Sequence, residues 1–146
     1  MKTRQSESPG DTRRIGTEFV QSLHPGSVVR LLGDLGAGKT CFVQGMAEGL
    51  GWTGPVNSPT YGLVQEYETS PPLVHVDLYR LTDPKHIWDL GLEEWLDEDA
   101  ILAVEWSGRV PDFWPGDAWR VELTGTPDPE MQRCIRIWQG EDGVHD

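Results

Sequence analysis

Apolar positions along the chain change their period several times, and each change marks an element. Ile15, Phe19 and Leu23 recur four apart in a polar stretch, the spacing of one helix face. Asp11 or Thr12 is placed to cap that helix, and Pro25-Gly26 ends it. Ser27 to Leu32 is short, apolar and rich in Val and Leu, which predicts a buried strand. Phe42, Val43, Met46, Ala47 and Leu50 return to helical spacing, and Gly51 stands where such a helix stops. The stretch from Gly51 to Pro59 reads as a loop. Tyr61 to Tyr67 and Leu73 to Tyr79 read as strands. The short Thr69-Ser70-Pro71-Pro72 link predicts that they form an antiparallel hairpin. In the second of them, period two sets Val74, Val76 and Leu78 on one face. His75, Asp77 and Tyr79 share the other.

Further on, Pro84 to Asp99 reads as helix in two pieces broken near Gly91. Its acids, Glu93, Glu94, Asp97, Glu98 and Asp99, form a solvated face or a docking surface. Ile101-Leu102-Ala103-Val104 then runs apolar into Glu105, the pattern of a central buried strand ending in a carboxylate. Trp119 to Leu123 and Cys134 to Trp138 alternate as a terminal pair of strands. The first ten residues are polar with Ser, Pro and Gly and read as an unstructured tail. The organisation expected is a tail over 1–10, one domain over 11–139 and a second tail over 140–146. Strands interleaved with helices predict an α/β fold, a mixed sheet with a parallel centre, an antiparallel hairpin and flanking helices.

Composition narrows the function. At 146 residues the chain suits one domain with a real core. A net charge of −12 repels polyanions, so direct high-affinity binding to nucleic acid is not expected. Phosphate binding must then come from local geometry. No apolar run approaches ~18 residues and no secretory leader is evident. Cys41 and Cys134 lack metal-type spacing and suit a reducing cytoplasm. Most of the seven tryptophans are expected in the core. Any on the surface would hint at a protein-binding patch.

One stretch supplies that local geometry. Gly33-Asp34-Leu35-Gly36-Ala37-Gly38-Lys39-Thr40 has the spacing of a phosphate-binding loop, and it lies between a predicted strand and a predicted helix. Glycines let backbone N–H groups curl around a phosphate chain, and the helix N-terminus adds partial positive charge there. Lys39 would reach the outer phosphates, and the Thr40 hydroxyl would ligate Mg²⁺. The metal also needs a carboxylate, and ligands on open α/β sheets bind at the C-terminal strand ends. Glu105 is the first candidate. Asp77 is the second, or it positions a water; either acid could instead pair with Arg80 or Arg109. Ser58-Pro59-Thr60-Tyr61 is a plain turn or a segment that senses the terminal phosphate.

The ordered set of Gly33 to Thr40, Ser58-Pro59-Thr60-Tyr61, His75-Val76-Asp77-Leu78-Tyr79-Arg80 and Val104-Glu105-Trp106 resembles the TsaE (YjeE) family. Phe42-Val43-Gln44-Gly45, Gly49-Leu50-Gly51 and Gly91-Leu92-Glu93-Glu94 fit it as well. The likeness covers about residues 11 to 108. It implies a three-layer P-loop ATPase, weak alone, that binds ATP and Mg²⁺. The family docks on the TsaB–TsaD complex and supports threonylcarbamoyladenosine modification of tRNA. By motif position Leu35, Gly36, Ala37, Gly38, Lys39, Thr40 and Cys41 would cradle the nucleotide. Thr40 and Glu105 would hold the metal. Asp77, and Thr60 within a switch-like segment, would be the catalytic candidates, and Trp106 would pack near the site or the partner.

The chain departs from the family at two places. Ser107-Gly108 replaces a common Pro-acid pair, and Cys41 stands where a second Thr is usual, which is harmless if only its N–H is used. Beyond Arg109 no motif aligns, and the adenine contacts stay open there and near Thr12. Two other functions compete with the coupled ATPase. A switch controlled by ATP occupancy alone fits the same residues. A small-metabolite kinase would need a basic lid, which a chain poor in lysine does not offer.

Overall fold

The computed structural model describes residues 2–33, 38–56, 63–125 and 132–140. Strand β1 (Lys2–Ser6) is followed by helix α1 (Pro9–Val20), strand β2 (Val28–Leu32) and helix α2 (Lys39–Gly49). Then come β3 (Val64–Tyr67), β4 (Leu73–Asp77), the short helix α3 (Leu92–Asp97), β5 (Ile101–Glu105), β6 (Trp119–Gly125) and β7 (Arg133–Gln139). The described strands form one sheet in the order β1-β7-β6-β2-β5-β4-β3. Contacts of β2 with β5 and β6, and of β4 with β5, are parallel. The β3–β4, β6–β7 and β1–β7 contacts are antiparallel. The mixed α/β sheet with a parallel centre is therefore present, hairpin included.

Parity along the strands decides which face each residue covers. Val29, Leu31, Leu73, Ile101 and Ala103 join α1 and α2 in one core. Val28, Val74, Val76, Leu102 and Val104 point the other way, onto Leu81, Ile87, Leu92, Val110 and Trp114. Strands buried on both faces read as continuous apolar runs, as β5 does.

Helices α1 and α2 meet at their backbones. A Cβ on Gly16 would collide with the Phe42 carbonyl, and one on Gly45 with the Arg13 carbonyl. Thr17 Oγ1 donates to the Gly45 carbonyl at 2.8 Å, and Gln21 Nε2 to the Gly49 carbonyl at 2.7 Å. This contact holds α2, whose first residues follow the glycine loop, against the rest of the domain.

Two local expectations are corrected, and a third is refined. The first ten residues are not all tail, because Lys2 to Ser6 pair with Ile137 to Arg133 as an edge strand. The cap of α1 is Ser8, whose hydroxyl accepts from the Asp11 N–H at 3.1 Å, and Pro9 stands in the first turn. Thr12 is drawn into the interior instead, its hydroxyl 2.7 Å from Ser6 Oγ. The acidic helix does come in two pieces separated by Gly91 (φ 71°), but the first, Pro84–Leu90, is a 3₁₀ helix. Of the tryptophans, Trp114 and Trp138 are buried, whereas Trp88 is 62% exposed.

Candidate functional site

At the C-terminal edge of the parallel strands, β2 leads into the glycine loop and β4 and β5 end in acids. Asp77 and Glu105 are register partners, and Leu31 of β2 lies opposite Glu105 on its other side. Their shared odd parity puts His75, Asp77 and Glu105 on the face that carries α2. Strand order thus sets Glu105 beside the strand that feeds the motif and Asp77 one strand further, although both lie far along the chain.

Gly38 begins α2 in a left-handed conformation (φ 102°), with no side chain capping the helix. A left-handed backbone favours glycine, and the lack of a side-chain cap suits the first N–H groups of α2 to an anion. Lys39 is only 6% exposed. Its Nζ donates to the Gly33 carbonyl at 2.7 Å and stands 3.6 Å from Glu105 Oε1. Across the cation lies the Trp106 ring, its centroid 5.2 Å from Nζ. Trp106 leaves β5 in a left-handed backbone conformation (φ 59°), a geometry that costs about 1–3 kcal/mol in a non-glycine residue.

Glu105 is buried, and its second oxygen, Oε2, lies 2.6 Å from His75 Nε2. Burial pushes its pKa up, but the hydrogen bond and charge of His75, with the charge of Lys39, outweigh burial and hold it below the ordinary carboxylate value. Glu105 is therefore an anion at neutral pH, and His75 Nε2–H donates to it. His75 is itself fully buried, and its Nδ1 finds no partner among the described residues.

Asp77 is half-buried, and its Oδ1 accepts the Tyr79 N–H at 2.9 Å. Tyr79, 49% exposed, packs on Trp106 at 5.0 Å between ring centroids. The Arg109 guanidinium lies 5.8 Å from each of these rings. Arg30 Nε donates to Ser107 Oγ at 2.9 Å, and Trp114 Nε1 to the Ser107 carbonyl at 2.9 Å, which pins the turn after Trp106. The serine that departs from the family pattern thus has its own anchoring.

The structure brings Lys39, Glu105 and Trp106 into contact, and sets Asp77 beside Glu105 across the strands. Gly38, Thr40 and Cys41 lie at the start of α2, where Cys41 is only partly buried. Leu35, Gly36, Ala37 and the Ser58-to-Tyr61 segment with Thr60 fall outside the described residues. Sequence reasoning gave no role to His75 or Tyr79, and it offered Arg109 only as a partner for one of the acids, whereas its guanidinium lies by the Tyr79 and Trp106 rings. The signal for His75 was available, since period two already placed it on the Asp77 face.

Donor chemistry fits a hard cation shared with a phosphate chain. The oxygens on offer are the Thr40 hydroxyl and the Glu105 carboxylate, both suited to Mg²⁺. Among the described residues no cluster of three or more His, Cys, Asp or Glu could hold a metal by itself. Mg²⁺ commonly takes one or two protein oxygens and completes its shell with phosphate and water.

A parallel sheet edge, a glycine turn opening a helix and a buried lysine define a protein of the P-loop NTPase-like class. Structural comparison agrees with this: the crystal structure of YdiB from Bacillus subtilis superposes with a TM-score of 0.78 at 30% identity, covering 95% of this chain and 84% of that one. The family model for "Threonylcarbamoyl adenosine biosynthesis protein TsaE" matches residues 6–135. Relatives named tRNA threonylcarbamoyladenosine biosynthesis protein TsaE include one from Bacillus subtilis, 38% identical over 86% of this chain and 78% of its own length. Another, from Treponema pallidum, is 42% identical over 75% and 82%. One from Nostoc is 46% identical over 77% and 72%. The chain belongs to the TsaE family.

Proposed function

We propose that this chain binds Mg²⁺–ATP at the glycine loop and hydrolyses it slowly, and that hydrolysis supports tRNA threonylcarbamoyladenosine synthesis by a TsaB–TsaD complex on which the chain docks. The observation that carries the reading is the buried Lys39–Glu105 pair at the mouth of the glycine loop. The reading takes this pair as a cation for phosphate beside an anion for metal, at the start of α2 that no side chain caps.

In this reading the α2 N–H groups and Lys39 hold the phosphates. Lys39 exchanges the Gly33 carbonyl for phosphate oxygens, a change of acceptor that leaves its charge solvated by oxygen. Bound Mg²⁺ would neutralise charge on the phosphate oxygens. Thr40 and Glu105 would hold it, and the depressed pKa of Glu105 keeps that side chain charged for the purpose. Asp77, beside Glu105 at the neighbouring strand end, orients the attacking water with the oxygen that Tyr79 does not use. Trp106 walls the lysine off from solvent on one side, which strengthens its field. The remaining cradle, Leu35 to Ala37 with Cys41, and Thr60 of the switch-like segment complete the assignment. The acidic chain leaves tRNA to its partners and works in the cytoplasm.

The test is ATP hydrolysis by the purified chain, alone and with TsaB–TsaD. A weak rate that rises with the partners, and is lost in Lys39→Ala, is the expected result. If the partners neither bind nor change the rate, the coupled reading fails, and a nucleotide site alone is left.

A further inference from the structure

His75 is a buried imidazole that the proposed chemistry does not use. It sits one row back from the site: its register partner on β5 is Ala103, whereas Glu105 is opposite Asp77. Its ring therefore reaches forward along the shared face to bond Glu105 Oε2 at 2.6 Å. A histidine needed only as packing would sit equally well as an apolar residue among Leu73, Ile101 and Ala103. This one instead has no exposure at all and leaves Nδ1 without a partner among the described residues. Such a bond fixes the direction of the carboxylate more than it adds to the core.

The consequence concerns what Glu105 does in its absence. Oε1 lies 3.6 Å from Lys39 Nζ while Oε2 is tethered to His75. A released carboxylate could rotate and close fully on Lys39. That would turn the metal-binding oxygen away from the glycine loop.

We propose that His75 is a positioning residue for the metal: it holds Glu105 by Oε2, so that Oε1 stays turned to the glycine loop and short of a closed ion pair with Lys39. The inference rests on the reading of Glu105 as a metal ligand. Partners that orient a metal-binding side chain typically contribute about 10–100-fold to metal affinity.

The experiment is an equilibrium titration of the full chain with a fluorescent, non-hydrolysable ATP analogue, with and without Mg²⁺. His75→Phe keeps the ring volume and removes the donor. His75→Gln carries an amide N–H at about the reach of Nε2, and His75→Asn stops short. In His75→Phe the gain in affinity that Mg²⁺ brings is expected to fall about tenfold, with metal-free affinity unchanged. His75→Gln is expected to recover most of that gain, and His75→Asn is not. A native Mg²⁺ gain in His75→Phe overturns the proposal, and so does an equal loss with and without metal. Should His75→Phe not fold, the Gln and Asn pair decides, and equal behaviour of the two is the overturning result. Glu105→Gln separates the two levels. If it too keeps the Mg²⁺ gain, the Glu105 reading has failed; if it alone loses the gain, only the role of His75 has.

Discussion

The two faces of the central strands are built from similar material and used differently. On one, Val74, Val76, Leu102 and Val104 are buried without interruption and pack on Ile87, Leu92 and Trp114. On the other, Leu73, Ile101 and Ala103 start the same way, but the pattern breaks at His75, Asp77 and Glu105. Those polar residues gather near the C-terminal strand ends, beside the loop that β2 feeds into α2. Buried polar groups cost free energy unless paired. Here His75 and Lys39 both pair with Glu105, and Asp77 accepts the Tyr79 N–H. Both faces carry core, and the interrupted one also carries the candidate site.

If this division is right, mutations on the two faces separate affinity from stability. The largest effect is expected at Lys39→Ala, with a loss of nucleotide affinity of about 100-fold, read by calorimetric titration. A loss below tenfold would remove Lys39 from the phosphates. Next comes Leu102→Ala, from the fully buried apolar face. It is expected to cost about 2–5 kcal/mol and to lower the thermal midpoint by roughly 5–15 °C, while nucleotide affinity stays native. A comparable loss of affinity in that variant would show that the faces are not separable.

Gly45→Ala tests what carries α2. Its methyl group would meet the Arg13 carbonyl, part of the rigid backbone of α1. Forcing the helices apart is expected to cost about 1–3 kcal/mol, seen as a lower urea midpoint, with a smaller loss of nucleotide affinity as the start of α2 shifts. The smallest effect is expected at Trp88→Ala, since Trp88 is 62% exposed and touches Phe113 at 5.2 Å between centroids. A stability change of no more than about 1 kcal/mol is expected there, with native affinity.

Wherever the pattern was local or the strand was buried on both faces, the chain was readable. Ile101 to Glu105 announced a central strand with an acid at its end, and the hairpin of β3 and β4 followed from a short link. Lys2 to Ser6 announced nothing, because an exposed edge strand of polar residues has no period to read. It is a strand because β7, more than a hundred positions later, offers it hydrogen bonds. The cap was missed for a related reason. Ser8, Asp11 and Thr12 are all good caps by type, and the pull of Ser6 on Thr12 selects among them.

The fold class, the family and the glycine loop with Lys39 and Thr40 are legible in the chain alone, since all of these lie in short contiguous patterns. That Glu105, His75 and Lys39 share one buried cluster, and that Trp106 covers the lysine, follows from the folded sheet. Parity along a strand tells which face a side chain takes. Which strand lies beside it is set by the order of the whole sheet, and that order is a property of long-range pairing.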